Sequence, residues 1–439
     1  MTETPTPVDL PTGSERLLRL ASSVIPGGVN SGRRNTASKL CVQRAKGAHF
    51  VDIDGRTYTD YHAAYGPIIL GHSYEPVIRA VSDAIQDRVL FGLGVTEAEY
   101  TLATRICELV PSVEQVLLCN SGTEATYNAI RVARAATGRP ITLRFGGTYH
   151  GYHDAVLSSP GGNAGARDSG IVCTFNDLES VTAAVEKHPD QIAAIIVEPV
   201  IHNAPGGSIL PQPGFLEALR EICSREGIVL IFDEIITGFR HGLGGYQAIC
   251  GVTPDLTTLG KAIANGFAIA AVGGRRSIME RFNTHPEGDV YYGGTYNGGA
   301  TGVAAALATI DVMHHEPVHE HIFELGHRMR SGLQEVANEA GIEATVGGYG
   351  SLFVLSFLSG EIRSHLDVER NDTALFLAYR REMVKRGHFE VPENVGRSHI
   401  GYSHTTDDID RSLQAAEQAL TSALDELASV RRNGGTPSR

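Results

Sequence analysis

Asp233 and Lys261 stand out among the ionisable residues because each follows a stretch that reads as buried. The run Ile228–Phe232 is wholly apolar and stops on two acids, Asp233 and Glu234. A short β-rich run without polar interruption reads as a strand covered on both faces, as in a parallel α/β sheet. Acids at the carboxyl end of such a strand occupy the rim where open α/β sheets bind ligands. Lys261 follows a second strand-like piece, PDLTTLG, and opens an Ala/Gly-rich segment. Taken singly, a solvated Asp at a strand end and a surface Lys at a helix start account for both residues. Taken together, an amine that can act as nucleophile and base and a buried carboxylate that can hold a proton define a chemistry.

Other clusters fall at matching places. In VEQVLLCNSGTEATYNAIRVARAATG a strand ends at Cys119 and a helical period begins at Ser121. Ser121 and Glu124 form a capping box, which is a sufficient structural role. The same Ser121-Gly122-Thr123 turn is also an anion site, because free N–H groups and the helix dipole favour a phosphate there. QIAAIIVEPV is a further buried strand, and it ends in Glu198-Pro199. These strand ends, with that of Asp233, share one rim. TYHGYHD holds His150, His153 and Asp154, but one loop supplies too few ligands and no Cys/His partner stands at a zinc spacing. His315-Glu316-Pro317-Val318-His319 matches a zinc-protease pattern, yet Pro317 breaks the helix that would align both histidines. No metal site is expected. IPGGVNSGRR reads as a loop carrying a solvated basic pair, Arg33 and Arg34.

One cofactor uses a lysine and a buried carboxylate in this way. Pyridoxal phosphate is held by a lysine as a Schiff base, with a carboxylate keeping its ring nitrogen protonated. DEIITGFR followed by PDLTTLGK resembles the signature of the class III (subgroup II) pyridoxal-phosphate aminotransferases. The resemblance implies Lys261 as the Schiff-base lysine and Asp233 as the partner of the ring nitrogen. It implies Ser121, Gly122 and Thr123 around the phosphate, Tyr149 stacked on the ring with His150 beside it, and Glu198 organising the pocket. Thr295, in YGGTYNGG, would bind the phosphate of a neighbouring subunit, which implies a homodimer. IPGGVNSGRR further resembles a segment of the glutamate-1-semialdehyde aminomutase branch, where the matching Arg34 would face a substrate carboxylate bidentately. Asn203 and Ile236 stand where ornithine- and GABA-type relatives carry Glu and Gln, and so point to the same branch. The resemblance runs from Ile25 to about Leu424. It implies fold type I, with a large α/β/α domain on a mainly parallel seven-stranded sheet and a small α+β domain.

The bulk properties agree. A chain of 439 residues can bury a large core and form two domains. We expect residues 1–70 to pack with a C-terminal small domain, 311–439, around a cofactor-binding domain, 71–310. The formal net charge of −13 gives no attraction to nucleic acid or an anionic membrane. The six cysteines are scattered, without CxxC spacing, and no apolar stretch reaches transmembrane length or resembles a signal peptide. A soluble, cytoplasmic protein is expected. Leu157–Gly170 is shorter than the Gly-rich gating loop of the aminomutases and matches it poorly. A trapped intermediate needs a closing lid. The sequence therefore favours an aminotransferase acting on an α-, β- or D-amino acid and a keto acid. Glutamate-1-semialdehyde aminomutase is the second reading, and a non-catalytic cofactor-binding relative a remote third.

Overall fold

The computed structural model describes residues 12–35, 38–157, 170–202, 208–391 and 394–432. Its centre is a seven-stranded sheet. In chain order the strands are β1 Gln115–Cys119, β2 Ile141–Phe145, β3 Gly170–Cys173, β4 Ile192–Val197, β5 Val229–Glu234, β6 Leu256–Leu259 and β7 Ala270–Gly274. Their spatial order is β1-β7-β6-β5-β4-β2-β3. All neighbours from β6 to β3 run parallel, and β7 alone lies antiparallel to both β1 and β6. Every residue of β4 and β5 is buried, which is why β4 and the β5 residues before Asp233 are apolar without alternation.

Helices cover the sheet. Gly122–Thr137 starts directly after β1, places Ala125, Ala129, Ile130, Val132 and Ala133 in the interior, and stops at left-handed Gly138. Phe215–Glu226 runs between β4 and β5 and buries Phe215, Leu216, Leu219 and Ile222. Because the parallel strands share a direction, the ends of β1, β4, β5 and β6 deliver Ser121, Glu198, Asp233 and Lys261 to one rim.

Two smaller sheets frame that rim. Val42–Lys46, His49–Asp52 and Thr57–Asp60 form a meander, and His388–Phe389 joins it parallel to Thr57–Asp60. Residues near both ends of the chain thus share one sheet. The other holds Thr345–Gly347, Leu352–Ser356 and Ser398–His399. Val318–Glu339 packs on it and against the long C-terminal helix Thr406–Arg432. None of the described helices is long and apolar enough to cross a membrane.

Candidate active site

Asp233 leaves β5 already oriented. Its Oδ1 accepts from Thr258 Oγ1 on neighbouring β6 at 2.9 Å and from the Ile235 N–H at 3.1 Å. The parallel register that pairs Asp233 with Thr258 makes the first of these bonds. Its Oδ2 accepts from His150 Nδ1 at 2.7 Å, and both side chains are buried. With Nδ1 donating, His150 Nε2 is a buried ring nitrogen that has no partner among the described residues. Asp233 Oδ2 keeps a second lone pair for another donor.

Glu198, at the end of β4, accepts from the Tyr149 N–H at 2.9 Å and from the His202 N–H at 3.1 Å. It fixes the loop that carries both Tyr149 and His150. That loop lies directly on the start of the Gly122–Thr137 helix. A Cβ at Gly151, whose φ is +106°, would stand 2.8 Å from Thr123 Oγ1. A Cβ added at Gly122 or at Gly260 would each stand 3.1 Å from the Ile235 Cδ1.

Ser121 caps the helix as its spacing predicts. Its Oγ accepts from the Glu124 N–H, while Glu124 Oε2 accepts from the N–H groups of Asn120 and Ser121. The N–H groups of Gly122 and Thr123 have no hydrogen-bond partner among the described residues. They form an anion-binding end of the helix dipole.

Lys261 follows β6 with a φ of +45°. A left-handed conformation costs a non-glycine residue ~1–2 kcal/mol, and such strain gathers at functional sites. Burial, reinforced by the Arg397 charge and opposed by Glu198 and Asp233, brings its amine down to about 7. A lysine of that acidity is substantially neutral near physiological pH.

Arg33 and Arg34 lie in the short turn Gly32–Arg34. The Arg33 guanidinium sits over the Tyr149 ring, 5.3 Å from its centroid, and Arg34 is the more exposed of the two. Both line a cavity of about 830 Å³ together with Asp60, His62, Tyr65 and Phe389. Ile236 is buried behind the rim. Asn203 lies outside the described residues. Thr295 stands apart within a single chain. It is exposed and lines a small cavity with Phe91 and Leu93, and its loop is tied to the rim by the Asn120 Nδ2 to Asn297 Oδ1 bond of 2.9 Å.

Several residues at the site were not singled out by their sequence. Arg397 precedes the edge strand Ser398–His399 and donates to the Tyr65 carbonyl at 3.5 Å. Arg240 is fully buried beside it and is held at about 9 by burial and the Arg397 charge. His62 packs edge-on against Tyr65 at 4.0 Å, and burial brings it to about 4. No local signal in GRSHIGY marks Arg397, because the strand it precedes is two polar residues. His315 and His319 fall on different helices and bond to the carbonyls of Asp311 and Phe239. No metal-ligand cluster occurs among the described residues.

This donor set fits pyridoxal phosphate: an acceptor at Asp233, open N–H groups at Gly122 and Thr123, and a near-neutral buried amine at Lys261. The fold and rim define a fold-type I transferase of the pyridoxal-phosphate class. The family description for class-III aminotransferases matches residues 30–385. The chain belongs to that family, and it is a pyridoxal-phosphate-dependent enzyme of the aminotransferase and aminomutase type. It is 39% identical to the glutamate-1-semialdehyde 2,1-aminomutase of Syntrophobacter fumaroxidans, over 93% of this chain and 97% of that one. A crystal structure of an omega-transaminase from Sphaerobacter thermophilus is 33% identical and superposes with a TM-score of 0.87, over 94% of this chain and 98% of that chain. A β-phenylalanine aminotransferase from Variovorax paradoxus is 31% identical with a TM-score of 0.86, over 93% of both chains.

Proposed function

We propose that this enzyme exchanges an amino group and a carbonyl oxygen on a small carboxylate-bearing molecule, with Lys261 as the base. The observation that carries the reading is the Lys261 amine at about 7 on the same rim as the Asp233–His150 pair of 2.7 Å. Bound there, pyridoxal phosphate supplies an electron sink for the pair left behind when a carbon acid gives up its proton. Lys261, neutral at its nitrogen, takes that proton and returns it. Asp233, held by Thr258, Ile235 and His150, would keep a proton on the cofactor's ring nitrogen. Gly122 and Thr123 would donate N–H bonds to the phosphate, with Ser121 at the same turn. The Tyr149 ring would cover the cofactor's ring face, with its loop held by Glu198. Arg33 and Arg34 take the substrate carboxylate.

A second copy of this chain completes the site. The stretch around Phe91, Leu93 and Val95 leaves those side chains 74%, 79% and 73% exposed, an apolar surface that calls for a partner. It borders the loop of Thr295, which would reach the phosphate of the opposite subunit.

Whole-length relatedness favours the isomerase reaction, in which the amino group stays in one molecule, as in the aminomutase relatives. Intermolecular transamination is supported by the two transaminases of closely similar structure and by the short Leu157–Gly170 segment. Glutamate-1-semialdehyde supplied alone separates them. Conversion into its amino-ketone isomer, with all nitrogen retained, supports the isomerase. Turnover only of an amino acid paired with a keto acid, with a keto product released, supports the transaminase.

A further inference from the structure

The backbone from Ala63 to Gly66 turns through the left-handed region at four consecutive positions, with φ of 48°, 53°, 66° and 107°. Three of the four are not glycine, so the segment is held there by its surroundings. Besides Arg397, which donates to the Tyr65 carbonyl, two buried charged residues hold it. Asp60 Oδ1 accepts from the N–H groups of His62 at 2.8 Å and Ala63 at 3.2 Å, and His72 Nε2 secures the other oxygen at 2.7 Å. From behind, Arg240 donates to the Gly66 carbonyl at 2.6 Å, to Ser351 Oγ at 3.0 Å and to the Ile400 carbonyl at 3.3 Å. None of the ion pairs among the described residues engages Arg240. Its charge is spent on backbone carbonyls and a hydroxyl.

The turn has one outward product. It aims Tyr65 across the cavity so that its hydroxyl donates to the Arg33 carbonyl. That carbonyl belongs to the peptide joining Arg33 to Arg34, so one bond fixes the base of both guanidinium side chains. An extended or right-handed Tyr65 would project elsewhere.

We propose that Tyr65 is a positioning residue for carboxylate recognition, and that the left-handed turn clamped by Asp60 and Arg240 exists to aim it. This rests on the reading that Arg33 and Arg34 take the substrate carboxylate. Tyr65 touches no reacting atom in this account. It presets the arginine pair, so that less ordering is left to be done when the substrate binds.

The test uses the full-length, cofactor-loaded protein. Bleaching of its visible band is followed in single-turnover mixtures with glutamate, β-alanine, β-phenylalanine and 4,5-diaminopentanoate. n-Butylamine, an amine without a carboxylate, is the control. For the most reactive carboxylated amine, Tyr65→Phe is expected to raise the half-saturating concentration about tenfold, the worth of one hydrogen bond, with the limiting rate nearly unchanged. The response to n-butylamine should not move. Ala64→Gly relieves an exposed left-handed position and favours the φ the turn already holds. Its unfolding midpoint should match or exceed that of the parent, and its half-saturating concentration should stay parent-like, because Tyr65 is still aimed. Parent-like saturation by the carboxylated amine in Tyr65→Phe, or weakened saturation in Ala64→Gly, overturns the tether. A parent that treats carboxylated and carboxylate-free amines alike overturns the reading of the arginine pair, and the tether with it.

Discussion

His150 Nδ1 and Asp233 Oδ2 are 2.7 Å apart, both side chains buried, across two segments that meet only in the folded chain. The histidine spends one nitrogen on a carboxylate that keeps a further lone pair, so Asp233 enters the site already oriented. Asp233→Asn preserves the shape but can no longer favour a protonated ring nitrogen. We expect its kcat/KM to fall by about 10²–10⁴-fold, the usual worth of a proton held in place, with the protein still folded. Steady-state kinetics beside a thermal melt check this.

The acidity of Lys261 gives a pH dependence in the cofactor-free protein. An ordinary lysine titrates near 10.4 and is almost wholly protonated at neutral pH. Burial brings Lys261 to about 7. The rate of pyridoxal phosphate capture should therefore rise through pH 7 and level off by about pH 8. The stability sign also follows. Between about pH 7 and pH 10 the unfolded chain binds more protons at this residue, so the contribution of Lys261 to stability improves as pH rises through that window. Stopped-flow absorbance across pH reads the first effect and denaturant melts the second.

Glu234 is the structural neighbour of Asp233. Fully buried, it accepts from Thr237 Oγ1 at 2.7 Å, from the Tyr246 and Gln247 N–H groups at 2.6 and 3.1 Å, and from Gln247 Nε2 at 3.0 Å. Gly245 has a φ of +70°, and a Cβ there would lie 2.5 Å from Glu234 Oε2. Gly245→Ala combines backbone strain with a displaced buried carboxylate, and should destabilise by about 2–4 kcal/mol. Urea titration measures it.

Phe91 and Leu93 sit beside Thr295 in an exposed apolar stretch. On the proposed dimer, Leu93→Asp should shift the protein toward monomer in sedimentation velocity, with activity lost in step as Thr295 is withdrawn from the partner site. A fully active monomer would contradict that arrangement.

The legibility of this chain followed the range of the interactions. The strand β5 and its terminal acids were readable because a parallel strand buried on both faces must be apolar throughout, and its polar stop is abrupt. The helix start at Ser121 was readable because a capping box is a contact within four residues. Nothing local distinguishes Asp233 from Glu234, however. One faces the rim and the other is consumed by the turn at Tyr246. Arg240 and Arg397 were missed for the same reason, since their partners, Gly66, Ser351 and Tyr65, are remote in sequence. The left-handed turn was also hidden, because Ala-Ala-Tyr has no local preference for it and tertiary contacts impose it. The sequence pointed to Arg34, and the structure adds its neighbour Arg33, laid over Tyr149.

The most direct test is the visible spectrum of the purified protein, and of its Lys261→Ala variant, while single carboxylated amines are added without any keto acceptor. The account predicts a yellow protein whose band is bleached stoichiometrically by at least one such amine, and a variant without that response. A protein that takes up no pyridoxal phosphate, or a Lys261→Ala variant that bleaches and turns over like the parent, would contradict it.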